Sequence, residues 1–106
     1  ESKGFNRKVA IVGDMLELGE NGIAYHEEAG RHAAKSGVDL LITAGALSQH
    51  MAAEARKQGV PEVHATQSSS EAGELAVKKL HPGDLVLIKG SRGMKMETVI
   101  ERLRNS

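Results

Sequence analysis

The chain is expected to fold as a three-layer α/β domain, with a mainly parallel sheet of about four strands lying between helices. Two observations predict this. Four short aliphatic runs alternate with four segments of helical periodicity, an order that closes into one sheet through right-handed strand–helix–strand crossovers. Three of the runs are almost unbroken in apolar residues, as strands covered on both faces must be. Its 106 residues make a single domain, 1–106, large enough for a real core.

The first run, Val9-Ala10-Ile11-Val12, leads into a loop from Gly13 to Gly22. That loop has about ten residues, where a strand-to-helix connection commonly has about two to six. A helix over residues of about 24 to 36 places Ala29, Ala33 and Ala34 on one face and stops before Gly37. Leu40-Leu41-Ile42-Thr43 is the second strand, and Leu47, Met51, Ala52 and Ala55 mark a second helix ending before Gly59. Val63-His64-Ala65-Thr66 alternates in polarity, which fits an edge strand. Ser68 and Glu71 have the spacing of a capping box that opens a third helix carrying Leu75, Ala76 and Leu80. Pro82-Gly83-Asp84 makes the turn into the fourth strand, Leu85-Val86-Leu87-Ile88. The last helix starts near Gly93 or Met94 and carries Met96, Val99, Ile100 and Leu103.

Composition narrows the function classes. Lys plus Arg equals Asp plus Glu at 14 each, so no global field favours nucleic acid or an anionic membrane. Phe5 and Tyr25 are the only aromatics, which leaves little for base stacking. There is no cysteine, hence no disulfide, thiolate metal site or cysteine nucleophile. No apolar run reaches the roughly 18 residues of a transmembrane helix. A start at Glu1 rather than Met points to a fragment or processed chain.

Ligands of parallel α/β sheets gather at the carboxyl ends of the strands, so the loops there hold the candidate chemistry. Lys89-Gly90-Ser91-Arg92-Gly93 follows the fourth strand and precedes a helix. Two cations, a hydroxyl and glycines that permit close backbone approach suit a carboxylate or phosphate; the bland alternative is an ordinary structural turn. Gly13-Asp14-Met15-Leu16-Glu17-Leu18-Gly19-Glu20 carries three carboxylates after the first strand. Asp14 and Glu17 are candidates for a substrate ammonium, against the alternative that Asp14 caps a turn and Glu17 is solvated. His26, at the start of the first helix, is expected to bond Asp14 or Glu17 and hold that loop in shape. His26-Glu27 is half of a zinc signature, but Gly30 stands where the second histidine belongs, so no metal site is expected. Neither a Walker A loop nor the G-x-G-x-x-G dinucleotide fingerprint is present. Catalysis with ATP would need groups from outside this chain.

Taken together, Arg7-Lys8-Val9-Ala10-Ile11-Val12-Gly13-Asp14-Met15-Leu16-Glu17-Leu18-Gly19, then His26 and Gly30, then Lys89-Gly90-Ser91-Arg92 and Met96-Glu97, resemble the C-terminal domain of the Mur ligases. The resemblance is nearest to the branch that handles D-alanyl-D-alanine, and it runs from about Arg7 to the end of the chain. It implies a three-domain enzyme in which a central domain holds ATP and Mg2+, an N-terminal domain binds UDP-N-acetylmuramoyl-tripeptide, and this domain closes over both. The tripeptide carboxylate would be activated as an acyl phosphate and attacked by the amine of D-alanyl-D-alanine, a step of bacterial, cytoplasmic peptidoglycan precursor synthesis. Lys89, Ser91, Arg92, Asp14 and Glu17 would then contact substrate, with His26, Gly13, Gly90 and Gly93 ordering the loops and no catalytic residue in this chain alone. The family's domain has a further segment, with a D-x-Y-N-A-N-P-like motif, upstream of the first strand; that motif is absent here, so the chain is expected to be most of the domain, and without a P-loop it is expected to be inactive by itself. The alternative is a non-catalytic, Rossmann-like binding or regulatory module, because the element order alone does not set function.

Overall fold

Strand β1 (Lys8–Gly13) runs through the middle of a four-stranded sheet, flanked by β2 (Leu40–Ala44) and, at one edge, by β4 (Leu85–Lys89), with β3 (Glu62–Thr66) at the other edge. The structure is a computed structural model and describes residues 6–90 and 92–105, with the side chains of Glu17, Leu18 and Arg92 outside that description. All pairings are parallel, in the order β3-β2-β1-β4. Each crossover therefore needs a helix: α1 (Gly22–Lys35), α2 (Ser48–Lys57) and α3 (Ser69–Lys79), with α4 (Glu97–Arg104) following β4.

Side chains alternate across a strand, and the two faces fill accordingly. Val9, Ile11, Leu40 and Ile42 meet Ala72 and Ala76 of α3 and Met96 and Val99 near α4. Ala10 and Leu41 meet Met51 and Ala55 of α2, with Ala29 and Ala33 of α1 alongside. The expected three-layer α/β architecture is thus observed, with the small alanines letting the helices lie close to the sheet.

Four local expectations need correction. The apolar run of β4 is not covered on both faces: Leu85 and Leu87 are 47% and 59% exposed, while Val86 and Ile88 pack on the α3–α4 side. Strand order explains this, since β4 ends the sheet and no described helix lies over its other face. The first helix begins at Gly22, earlier than its alanine periodicity indicates. The last begins only at Glu97, because Arg92–Met94 form a 3-10 turn and Lys95 takes a left-handed φ of 54°. At α3, Ser68 accepts from the Glu71 amide as expected, but the Glu71 carboxylate accepts from the Gln67 amide instead of that of Ser68.

The amino ends of the strands are clamped by Arg7, which donates through Nε and Nη2 to both Asp84 oxygens at 3.1 and 2.8 Å and through Nη2 to the Lys79 carbonyl. Asp84 also accepts from the His81 amide, and its side chain is only 2% exposed. The Arg7 hydrogen bond, chiefly, holds the Asp84 carboxyl below its ordinary range. A depressed carboxyl stabilises the fold fully above its unfolded pKa, about 3.9, and that contribution is lost as pH falls through the lower folded value. Asp84→Asn is expected to cost roughly 1.5–3 kcal/mol at neutral pH, and the difference from wild type should shrink on acidification. Urea unfolding at neutral and acidic pH reads both effects.

One buried hydroxyl, Thr43 Oγ1, has no hydrogen-bond partner among the described residues. Thr43→Val exchanges it for a methyl of similar shape and is expected to stabilise the domain by about 1 kcal/mol, seen as a higher urea midpoint at unchanged m-value.

Candidate functional site

The order β3-β2-β1-β4 has its reversal between β1 and β4: the chain winds outward through β2 and β3, then returns to the far side of β1. The carboxyl ends of β1 and β4 therefore form the switch point where ligands of such sheets bind. Pairing sets Val12 beside Lys89, which brings the Gly13–Glu20 loop and the Lys89–Gly93 loop together from opposite parts of the sequence.

Bare α-carbons permit that approach. A Cβ on Gly90 would lie 3.2 Å from both the N and Cα of Gly13 and 2.7 Å from Cγ of Met96. A Cβ on Gly13 would lie 2.7 Å from Sδ of Met96. The floor of the switch point is thus a backbone-to-backbone contact sealed by a methionine.

Asp14 turns away from that floor. Its oxygens accept the Ser48 amide at 2.6 Å and the Leu47 amide at 3.0 Å, and the residue is 5% exposed. It caps α2 from a distance, placing a carboxylate at the positive end of that helix. Gly45, with φ of 114°, leaves the room: a Cβ there would lie 2.5 Å from the Asp14 carboxyl carbon. Ser48 Oγ is itself engaged, donating to the Ala44 carbonyl.

His26 reaches the loop through backbone groups. It is buried in α1, with Nε2 3.1 Å from the Met15 amide and Nδ1 2.6 Å from the Gly22 carbonyl. An amide only donates and a carbonyl only accepts, so the ring carries its proton on Nδ1. Both nitrogens face backbone groups, and the Asp14 carboxylate bonds the α2 amides rather than this ring. Leu16–Asn21 then continues as a 3-10 segment, broken at Gly19.

Lys89 ends β4 on the same face as Leu85 and Leu87 and is exposed. Ser91 lies outside the described residues, as do the side chains of Glu17 and Arg92. Among the described residues no group of three His, Asp or Glu side chains is placed to hold a metal ion. No described helix is long and apolar enough to cross a membrane.

A family model described as "Mur ligase, glutamate ligase domain" matches residues 1–92. The chain belongs to the Mur ligase family. The UDP-N-acetylmuramoyl-tripeptide–D-alanyl-D-alanine ligase of Bacillus subtilis (strain 168) is 33% identical over 105 residues, covering 98% of this chain and 23% of that protein. The enzyme of the same name from Haemophilus influenzae is 33% identical over 109 residues, covering 97% of this chain and 23% of the relative. A crystal structure of MurF from Acinetobacter baumannii superposes with a TM-score of 0.81 at 27% identity, over 94% of this chain and 22% of that one. MurF from Thermotoga maritima, solved in complex with ADP, shares the fold with a TM-score of 0.73 at 24% identity, over 95% of this chain and 22% of its own. This Mur ligase domain, related to MurF, therefore spans about a quarter or less of the length of these relatives.

Sequence reasoning missed one large feature of the Mur ligase domain. A groove of about 500 Å³ runs between α1 and the outer face of β4, lined by Val12, Met15, Tyr25, Ala29, Leu85 and Leu87 among others. Nothing in the linear pattern announces it, because it exists only where strand order leaves β4 uncovered.

Proposed function

We propose that this Mur ligase domain is most of the C-terminal, substrate-closing domain of a three-domain, ATP-dependent ligase that adds D-alanyl-D-alanine to UDP-N-acetylmuramoyl-tripeptide in the bacterial cytoplasm. The observation that carries the proposal is the convergence of the two sequence motifs, Gly13–Gly19 and Lys89–Arg92, at the β1/β4 switch point. The named relatives, a third identical over nearly the whole chain, support the same substrate pair.

The groups present suit a supporting role. There is no Walker A loop in the chain and no metal-binding cluster among its described residues, so ATP and Mg2+ would be held mainly by the central domain. Lys89 and Arg92 would offer positive charge to the dipeptide carboxylate or to developing negative charge, with Ser91 and nearby amides as hydrogen-bond donors. Such preorganised donors lower a barrier without doing covalent chemistry. Asp14 is committed to α2, so its part is to hold the loop that carries Glu17. The isolated chain would be inactive.

In the full-length protein, Arg92→Ala is expected to lower kcat/KM for D-alanyl-D-alanine with the fold intact. A value within about twofold of wild type, a change below roughly 0.5 kcal/mol, removes Arg92 from this role. A full-length wild-type protein without ligase activity would favour a non-catalytic binding module.

A further inference from the structure

We propose that Leu16 is a positioning residue that couples the two loops of the switch point, so that they carry one ligand seat instead of two independent ones. Leu16 is apolar yet 49% exposed, and its side chain rests over the bare α-carbon of Gly93: a Cβ built there would lie 2.9 Å from Leu16 Cδ1. The residues just before it are fixed from below. The Asp14 carboxylate is held by the α2 amides, and the Met15 amide by the buried ring of His26. The side chain is thus delivered at a set height onto the β4–α4 connection. Gly93 lies within the 3-10 turn Arg92–Met94, next to the arginine and a few residues past Lys89, so a displacement of Leu16 is passed to the backbone that bears the cations. Glycine at 93 serves this contact, since the structure gives it no left-handed φ.

The ligand in this inference, D-alanyl-D-alanine, rests on the function proposed above; the coupling itself does not. The contact atom is the end of a flexible side chain, so substitutions at 16 and 93 leave the fold intact, which thermal unfolding of each variant verifies. The decisive comparison uses ¹⁵N–¹H spectra of the ligand-free chain. Leu16→Ala should shift the amides of Gly90, Gly93 and Lys95 as well as its own neighbours, and Leu16→Met should restore most of them. Gly93→Ala should shift the Met15 and Leu16 amides in the wild-type background, and its shifts around residue 15 should vanish when Leu16→Ala is already present. Leu16→Ala shifts confined to residues 14–19, or identical Gly93→Ala shifts in both backgrounds, would overturn the coupling. On adding D-alanyl-D-alanine, a single seat requires both loops to titrate with one Kd that weakens about fivefold or more in Leu16→Ala; shifts in one loop alone overturn it. A coupled chain with no response to the dipeptide counts against the assigned ligand and leaves the coupling standing.

Discussion

Replacing Asp14 by alanine is expected to destabilise the domain by about 3 kcal/mol, the sum of a lost charge-assisted cap and of amides left without an acceptor. The carboxylate is nearly fully buried and each oxygen takes one backbone donor at the start of α2. Asp14→Asn should cost less than Asp14→Ala, since its amide oxygen can still accept one donor while its NH2 faces the other. Urea unfolding of both variants checks the order. If Asp14→Ala unfolds like wild type, the cap is not contributing and a substrate role for the carboxylate regains weight.

Gly30→Ala is expected to cost roughly 2–3 kcal/mol even though alanine is the better helix former. The gain in helix propensity is about 1 kcal/mol. Against it, the new Cβ would lie 2.5 Å from the Met51 carbonyl oxygen and 3.1 Å from the Ala55 nitrogen. Those are backbone atoms of α2, so the helices must move apart, and overpacking of this kind costs about 1–3 kcal/mol before the lost contacts across the face are counted. Gly73→Ala in α3 is the control. Its Cβ would meet Arg102 Cβ at 3.3 Å and Val99 Cα at 3.6 Å, so α4 need give by only a few tenths of an ångström, and stability should change by less than about 1 kcal/mol. Equal losses at the two positions would show that helix contact at Gly30 is not the cause.

Legibility of the fold varied with the range of the interactions involved. The runs at Val9, Leu40 and Leu85 and the alanine and methionine spacing of the helices reveal the element order, since periodicity is a property of neighbouring residues. The edge position of β3 was visible in the polarity of His64 and Thr66. That of β4 was not: Leu85-Val86-Leu87-Ile88 reads like a central strand, and its exposed leucines follow from pairing only with β1. The candidate site was legible to the same degree. Both loops stood out by their residues, yet the partner of Asp14 lies 33 residues ahead, and His26 acts through backbone groups that every residue possesses. The bond between Arg7 and Asp84 spans 77 positions.

From the linear pattern alone follow the α/β class, the alternation of strands and helices, the lack of a Walker A loop and the resemblance to a Mur ligase domain. These depend on residue identities and on periods of two and about 3.6, which survive in one dimension. Tertiary structure decided which strand is central, which glycines answer to helix contact rather than to a turn, where Asp14 spends its charge, and that an apolar groove lies open beside β4. Each of those is set by what the rest of the chain places nearby, and a given residue in a given local pattern is compatible with several such surroundings until the strands are ordered.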